Sequence, residues 1–195
     1  MFDQTFSVLL CGVGGQGILL ASEITACAAI LSGYDVKTNE VHGMAQRGGS
    51  VVASIRFGSH VRSPMVELGG ADSLLAMEPV EAIRCHRYLK PNGVAAVSSQ
   101  RMVPVTVSSG NAVYPETEKA LQALFPNLTY LDATAVAEQL GSPKAANMVL
   151  MGALAGMAGH IARKVWELAI QKCVPEKYLE LNLTAFRKGM ALRAR

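Results

Sequence analysis

Apolar residues recur along this chain in two rhythms. Short unbroken runs bounded by glycine or proline read as buried strands, and longer stretches with apolar positions three or four apart read as helices. The first run, Phe6 to Leu10, is brief and continuous, as a strand covered on both faces should be. A glycine-rich turn follows, and Ile18 to Leu31 is helical up to a stop at Ser32-Gly33. Tyr34 to Val41 reads as the second strand and Val51 to Phe57 as the third, separated by the loop His42 to Ser50. Strand, glycine turn, helix and strand make a βαβ unit, whose right-handed connection predicts that the first two strands are neighbours.

The alternation continues. Ser59 to Gly70 is an irregular excursion around Pro64, and Asp72 to Glu78 is a strand ending in a carboxylate. Pro79 opens a helix that runs to Tyr88, Lys90-Pro91-Asn92-Gly93 turns the chain, and Val94 to Ser98 is another buried strand. Met102 to Val107 leans towards β structure, with Pro104 marking an edge. Glu116 to Leu124 is helical, Leu128 to Leu131 is a strand, and Thr134 to Leu140 is a helix ended by Gly141. Three helices close the chain: Asn147 to Met157, Trp166 to Lys172, and Glu176 to Ala191. Gly152 and Gly156, four apart, give the first of them a smooth stripe for close helix contact. The fold class is therefore α/β: Rossmann-like, a mostly parallel sheet with helices on both faces and a helical C-terminal extension.

At 195 residues the chain fits one domain spanning 1–195, without repeat, linker or low-complexity segment. Hydrophobic residues make up 50% and charged residues 17%, and the mean hydropathy is +0.26. That is more apolar than a solvated monomer needs, so part of the surface is expected to be an interface. The net charge of +3 is small and no aromatics interleave with the basic end, which argues against nucleic acid. Asp3 and Gln4 stand where a secretory leader would be basic, and Asn147 and His160 interrupt the apolar stretch 145–162. A cytoplasmic protein with no membrane segment is expected. Cys11, Cys27, Cys85 and Cys173 have no metal-like spacing, so free thiols and no metal site are expected.

Candidate chemistry gathers in two loops. Gly12, Gly14 and Gly17 fit G-x-G-x-x-G between a strand and a helix: the first glycine for the reversal, the second for close backbone approach, the third for helix packing. The helix N-terminus adds unpaired N–H groups that suit an anion. An acid at the end of the second strand would bind a ribose, but Asp35 lies early and only Glu40 is near, which weakens a nucleotide reading. In the second loop Arg47 offers a fork of donors, flanked by Gly48 and Gly49, and His42 can serve as acid, base or hydrogen-bond partner. The plain alternative is a tight turn before a strand. Both loops should leave the C-terminal edge of the sheet side by side, with Glu78 as a third member, as a donor-rich, weakly positive rim. Glu78 serves equally well as the cap of the following helix. No metal cluster, nucleophile elbow or P-loop lysine is present, so no catalytic residue is expected on this chain alone.

Taken together, Gly12-Val13-Gly14-Gly15-Gln16-Gly17 and His42-Gly43-Met44-Ala45-Gln46-Arg47-Gly48-Gly49 resemble the gamma-type domain of 2-oxoacid:ferredoxin oxidoreductases. The His-Gly-Met-Ala-Gln form resembles the indolepyruvate (aryl pyruvate) branch, where this domain is the small beta subunit. The likeness extends through Asp72 to Ala76, Lys144 to Met148 and Asn182 to Phe186. It implies oxidative decarboxylation of a 2-oxoacid to an acyl group passed to coenzyme A, with electrons leaving to ferredoxin. It also implies that thiamine diphosphate and iron–sulfur clusters sit on a large partner subunit, with no cofactor held tightly by this chain. Gly12, Gly14, Gly15, Gln16, Gly17, His42, Gln46, Arg47, Gly48 and Gly49 would then be cofactor-binding or partner-facing. A homodimer stays open for the isolated chain. Two other classes stay open as well: an independent Rossmann-type nucleotide enzyme, and a non-catalytic structural subunit.

Overall fold

A computed structural model describes residues 5–43, 48–103, 105–111 and 113–192. Strand β1 (Phe6–Val13) is continuous in sequence because it serves two cores. Val8 and Leu10 join one buried cluster and Leu9 and Cys11 the other. The chain continues through α1 (Ile18–Leu31), β2 (Asp35–His42), β3 (Ser50–Gly58), β4 (Ala71–Ala76), α2 (Pro79–Cys85), β5 (Leu89–Ser98) and α3 (Val105–Ser108). It ends with α4 (Glu118–Leu124), β6 (Leu128–Leu131), α5 (Ala133–Gln139), α6 (Ala146–Ala158), α7 (Arg163–Cys173) and α8 (Glu176–Ala191). Single 3₁₀ turns follow α2 and precede α6.

The six strands stand in the order β2-β3-β1-β4-β5-β6. The pairs β1–β4, β4–β5 and β5–β6 are parallel, while β3 runs antiparallel to both β1 and β2. The α/β class with helices on both faces is as the sequence indicates, but the expected β1–β2 neighbourhood is not. β3 lies between them, because β2 returns through a short connection as a hairpin instead of closing a parallel pair. The burial pattern explains the order. β2 exposes Lys37, Thr38 and Glu40 and suits an edge, whereas β3 buries Val51, Ala53, Ile55 and Phe57 and takes the inner place.

Helices α1 and α6 cover one face, α7 packing on α1 and α8 on α6, while α2 and α4 cover the other. α6 buries every residue from Asn147 to Ala155, as its composition of Ala, Gly, Met and Leu requires. Among the described residues no helix is long and apolar enough to cross a membrane. Two local expectations change. The segment expected to lean towards β contains the helical turn α3, while Pro104, the residue expected to mark an edge strand, lies outside the described residues. The turn expected at 90–93 is a bulge within a longer β5, where the pairing jumps from Ala71–Leu89 to Ser73–Val94.

Candidate functional site

Parallel register brings the C-terminal ends of β1, β4, β5 and β6 to one rim: Cys11 pairs with Ala76, Ala76 with Val97, and Val97 with Tyr130. β3 begins at the same rim, since Ser50 pairs with Val13, and β2 ends there, since His42 pairs with Val51. Both sequence-marked loops therefore reach one edge. They are joined directly by the Gly14 N–H, which donates to the Gly49 carbonyl at 2.9 Å, while the Gly43 N–H closes the second loop on the Ser50 carbonyl at 2.7 Å. The shared edge is as expected, although β3 and not strand adjacency creates it. Met44, Ala45, Gln46 and Arg47 lie outside the described residues.

The glycine turn is built for contact with protein. Gly12 is still within β1, and a Cβ there would lie 2.8 Å from Gln16 Oε1 and 2.9 Å from both Ile18 Cδ1 and Met77 Cβ. The partner that Gly14 admits is the Gly49 backbone. Gly17 has φ 78°, and a Cβ there would meet the Asn147 side-chain nitrogen at 2.5 Å, so the third glycine packs against α6 rather than against a strand. Asn147, itself buried, donates to the Gly17 carbonyl at 3.3 Å. Gly15, with φ 100°, and Gly48, with φ 72°, have open space above them.

Gln16, expected to face a ligand or partner, is used inside the turn. Its Oε1 accepts from the Val13 N–H at 2.8 Å, and its amide donates to the Met77 carbonyl at 3.0 Å, tying the end of β1 to the exit of β4. The N–H of Gln16 itself goes to the Val13 carbonyl. With the Gly14 and Gln16 amides already engaged, the turn offers an anion fewer donors than its sequence suggests. His42 remains exposed, with Nε2 4.0 Å from Glu40.

Beneath the rim lie two carboxylates one helical turn apart. Glu78 is 2% exposed and caps α2, accepting from the Glu81 N–H at 3.0 Å, and it also accepts from the Tyr114 hydroxyl. Of the two sequence readings of Glu78, the cap of α2 is the one seen. Burial, then the hydrogen bond to Glu78, pushes the Tyr114 phenol well above its usual range, so it stays a donor. The Arg101 guanidinium lies 5.3 Å from the Tyr114 ring centre. Glu81, 6% exposed, accepts from the Ser50 hydroxyl at 2.5 Å and from Arg84 at 3.0 Å. Below them the Cys11 thiol meets that of Cys85. This contact, burial and the two nearby glutamates hold its pKa well above the usual value, which keeps Cys11 a thiol at neutral pH. The rim is thus underlain by two buried acids, while Arg47, on which the expected weakly positive surface rests, lies outside the described residues. Sequence reading passed over Ser50, Glu81, Tyr114 and Asn147, and only the Glu78-Pro-x-Glu81 spacing, an acid three residues after a cap, signals any of them.

Among the described residues no three His, Cys, Asp or Glu side chains gather as a metal site. The four thiols form two separate pairs, Cys11 with Cys85 and Cys27 with Cys173, which does not fit the four-thiolate cage of an iron–sulfur cluster.

A family profile described as pyruvate ferredoxin/flavodoxin oxidoreductase matches residues 7–192. The chain is 38% identical to the indolepyruvate oxidoreductase subunit IorB of Archaeoglobus fulgidus, over 94% of this chain and 92% of that one. It is 40% identical to the IorB subunit of Thermococcus kodakarensis, over 96% and 95%. Among solved structures, the gamma subunit of a keto/oxoacid ferredoxin oxidoreductase from Geobacter sulfurreducens superposes with a TM-score of 0.71 at 26% identity, covering 95% of this chain and 96% of that one.

Proposed function

The chain belongs to the pyruvate ferredoxin/flavodoxin oxidoreductase family and is a subunit of the 2-oxoacid:ferredoxin oxidoreductase type, and from that premise we propose that it is the small subunit of an enzyme oxidising indolepyruvate or a related aryl pyruvate to the acyl-CoA. The four IorB relatives, 32–40% identical, support the aryl branch over the 2-oxoglutarate branch, whose KorC subunits stand at 28–30%. In this reading the large subunit holds the thiamine diphosphate that decarboxylates the 2-oxoacid and the clusters that pass electrons to ferredoxin, and coenzyme A takes the acyl group. The small subunit supplies a rim that completes the assembly. It contributes no acid, base or nucleophile of its own.

The observation that carries this reading is a set of exposed apolar side chains near the rim, although Ile30, Leu168 and Tyr178, at the far end of α1 and on α7 and α8, are exposed as well. Leu19 lies in the first turn of α1 directly after the glycine turn, Val41 is the last residue but one of β2, and Val103 and Val113 belong to the chain between β5 and α4 that brings Tyr114 onto Glu78. Large apolar groups exposed around one edge suit a protein partner better than a nucleotide. Arg47 and Gln46 are proposed to reach that partner from the neighbouring loop.

The test is reconstitution. The isolated chain is expected to be colourless and without 2-oxoacid oxidation, and coexpression with the large subunit is expected to restore activity. A stoichiometric chromophore near ~400 nm on the purified chain alone would overturn this division of labour. A nucleotide retained by the isolated chain would favour the independent Rossmann-type enzyme instead.

A further inference from the structure

Ser73 is held in the middle of the sheet. Its parallel neighbour is Val8 of β1 on one side and Val94 of β5 on the other, directly after the bulge. Its side chain is fully buried on the same face as Leu75, the face that α1 and α6 cover. Among the described residues three buried hydroxyls find no partner in the chain, those of Ser73, Thr117 and Thr134. A hydroxyl taken out of water without a hydrogen bond is destabilising, so each calls for a partner.

Ser73 has a place for one. It borders a cavity between the sheet and helices α1, α6 and α7, walled chiefly by apolar side chains that include Leu75, Met151, Leu154 and Trp166. The cavity gives about 20 Å³ of room to the centre of a water molecule. One water needs roughly 10–15 Å³ by that measure, so a single molecule fits with little to spare. Two further polar side chains reach the same space from other elements. Thr25 comes from α1, and its hydroxyl, which donates to the Ala21 carbonyl at 2.7 Å, keeps its lone pairs for a second bond. His160 comes from the link between α6 and α7, with its ring centre 4.0 Å from that of Phe6. It is half-buried, and marks the side on which solvent reaches in. Three polar partners around room for one molecule are what an internal water requires. A hydrocarbon of that size would leave the Ser73 hydroxyl unmet, and an ion would lose its hydration against a mostly apolar wall.

We propose that this cavity is a binding site for one internal water molecule, held by Ser73, Thr25 and His160, which joins β4 through the core to α1 and to the link between α6 and α7. The proposal does not depend on the small-subunit reading, because none of these residues belongs to the rim. Such a water is part of the packing, so losing one of its partners falls on stability.

The experiment pairs a crystal structure of the full wild-type chain, at a resolution that shows ordered solvent, with thermal unfolding of wild type, Ser73→Ala, Thr25→Val and the double variant. The expected density is a single peak in the cavity, about 2.8 Å from the Ser73 hydroxyl oxygen. Ser73→Ala is expected to lower the midpoint by about 2–4 °C. The double variant is expected to lose less than the sum of the two single changes, because both hydroxyls serve one water. A dry cavity predicts the opposite sign: Ser73→Ala then removes an unmet polar group, and the midpoint stays or rises. A cavity without density, density larger than one water, a midpoint unchanged or raised in Ser73→Ala, or losses that simply add each overturn the proposal. The wild-type density decides even where a variant fails to fold, and none of these outcomes touches the small-subunit reading.

Discussion

Gly152 of α6 and Gly189 of α8 face each other's helices across their crossing. A Cβ on Gly152 would stand 2.1 Å from the Phe186 carbonyl oxygen, and one on Gly189 would stand 1.9 Å from that of Val149. The two backbones touch where any other residue would hold them apart. Gly156, the second small residue of the sequence stripe, is less tight, with the Met190 carbonyl 3.3 Å from its virtual Cβ.

Either Gly152→Ala or Gly189→Ala is therefore expected to destabilise the chain by about 3 kcal/mol or more, since the clash is with main chain that has no rotamer to yield. Gly156→Ala should cost clearly less. Chemical denaturation of the three variants checks this, and equal midpoints across all three would contradict the crossing described.

Gln16 gives a second prediction, because its amide bridges Val13 and Met77. Gln16→Ala should lower the stability of the isolated chain by about 1–3 kcal/mol, the range for stranding buried backbone partners. A side chain serving only a ligand or a partner would leave the midpoint where it was. Urea titration of the unassembled protein separates the two.

How much of this could be read in the sequence depended on whether the cause was local. The glycine turn, the α2 helix opened by Pro79 and the Gly152 stripe follow from neighbours in the chain, and all three are in place. The position of β3 was not legible, because whether a strand returns as a hairpin or crosses over is decided by which partner buries Val51 to Phe57, not by those residues alone. The same holds for the rim. Glu81 and Ser50 are 31 positions apart and Gly17 and Asn147 are 130 apart, so neither pair leaves a spacing to notice. The donors expected from the glycine turn were miscounted for a related reason: their acceptors came from the loop after β2 and from within the turn itself.

Glu167 carries the acid dependence. Hydrogen bonds from Arg187 first and Arg163 second hold its carboxyl down to about 2 from an ordinary 4.5. A depressed folded value means that the contribution is present in full above the unfolded value, and fades as the pH falls from about 4.5 towards 2. The cluster is partly solvated, so the effect is modest and weakens with salt. Glu167→Gln should flatten the stability–pH curve in that window and leave its shape above pH 6 unchanged. A variant whose acid limb overlays wild type would show that the arginines contribute nothing there.

Cys173 should be slow to alkylate. Burial, then the adjacent Cys27 thiol and the charge of Glu23, push its pKa up to about 12. At pH 8 only about one molecule in ten thousand would carry the thiolate, and reactivity should climb about tenfold per pH unit until that value is reached. Mass spectrometry after timed iodoacetamide treatment reads this directly. Rapid, pH-independent labelling of Cys173 in the folded protein is the outcome that contradicts it.

The insertion of β3 beside β1 has a consequence for biosynthesis. β1 emerges from the ribosome before both strands that flank it, Ser50–Gly58 and Ala71–Ala76, which follow it in the chain. At the pace of translation an apolar strand with two open edges waits seconds for its first neighbour. α1, which follows it directly, is available to shield one of its faces in that interval. The β2–β3 hairpin, whose contacts are local, can close as soon as it emerges and then offer β3 as a ready template. The nascent chain thus has to keep an apolar strand single until a hairpin some forty residues downstream arrives to receive it.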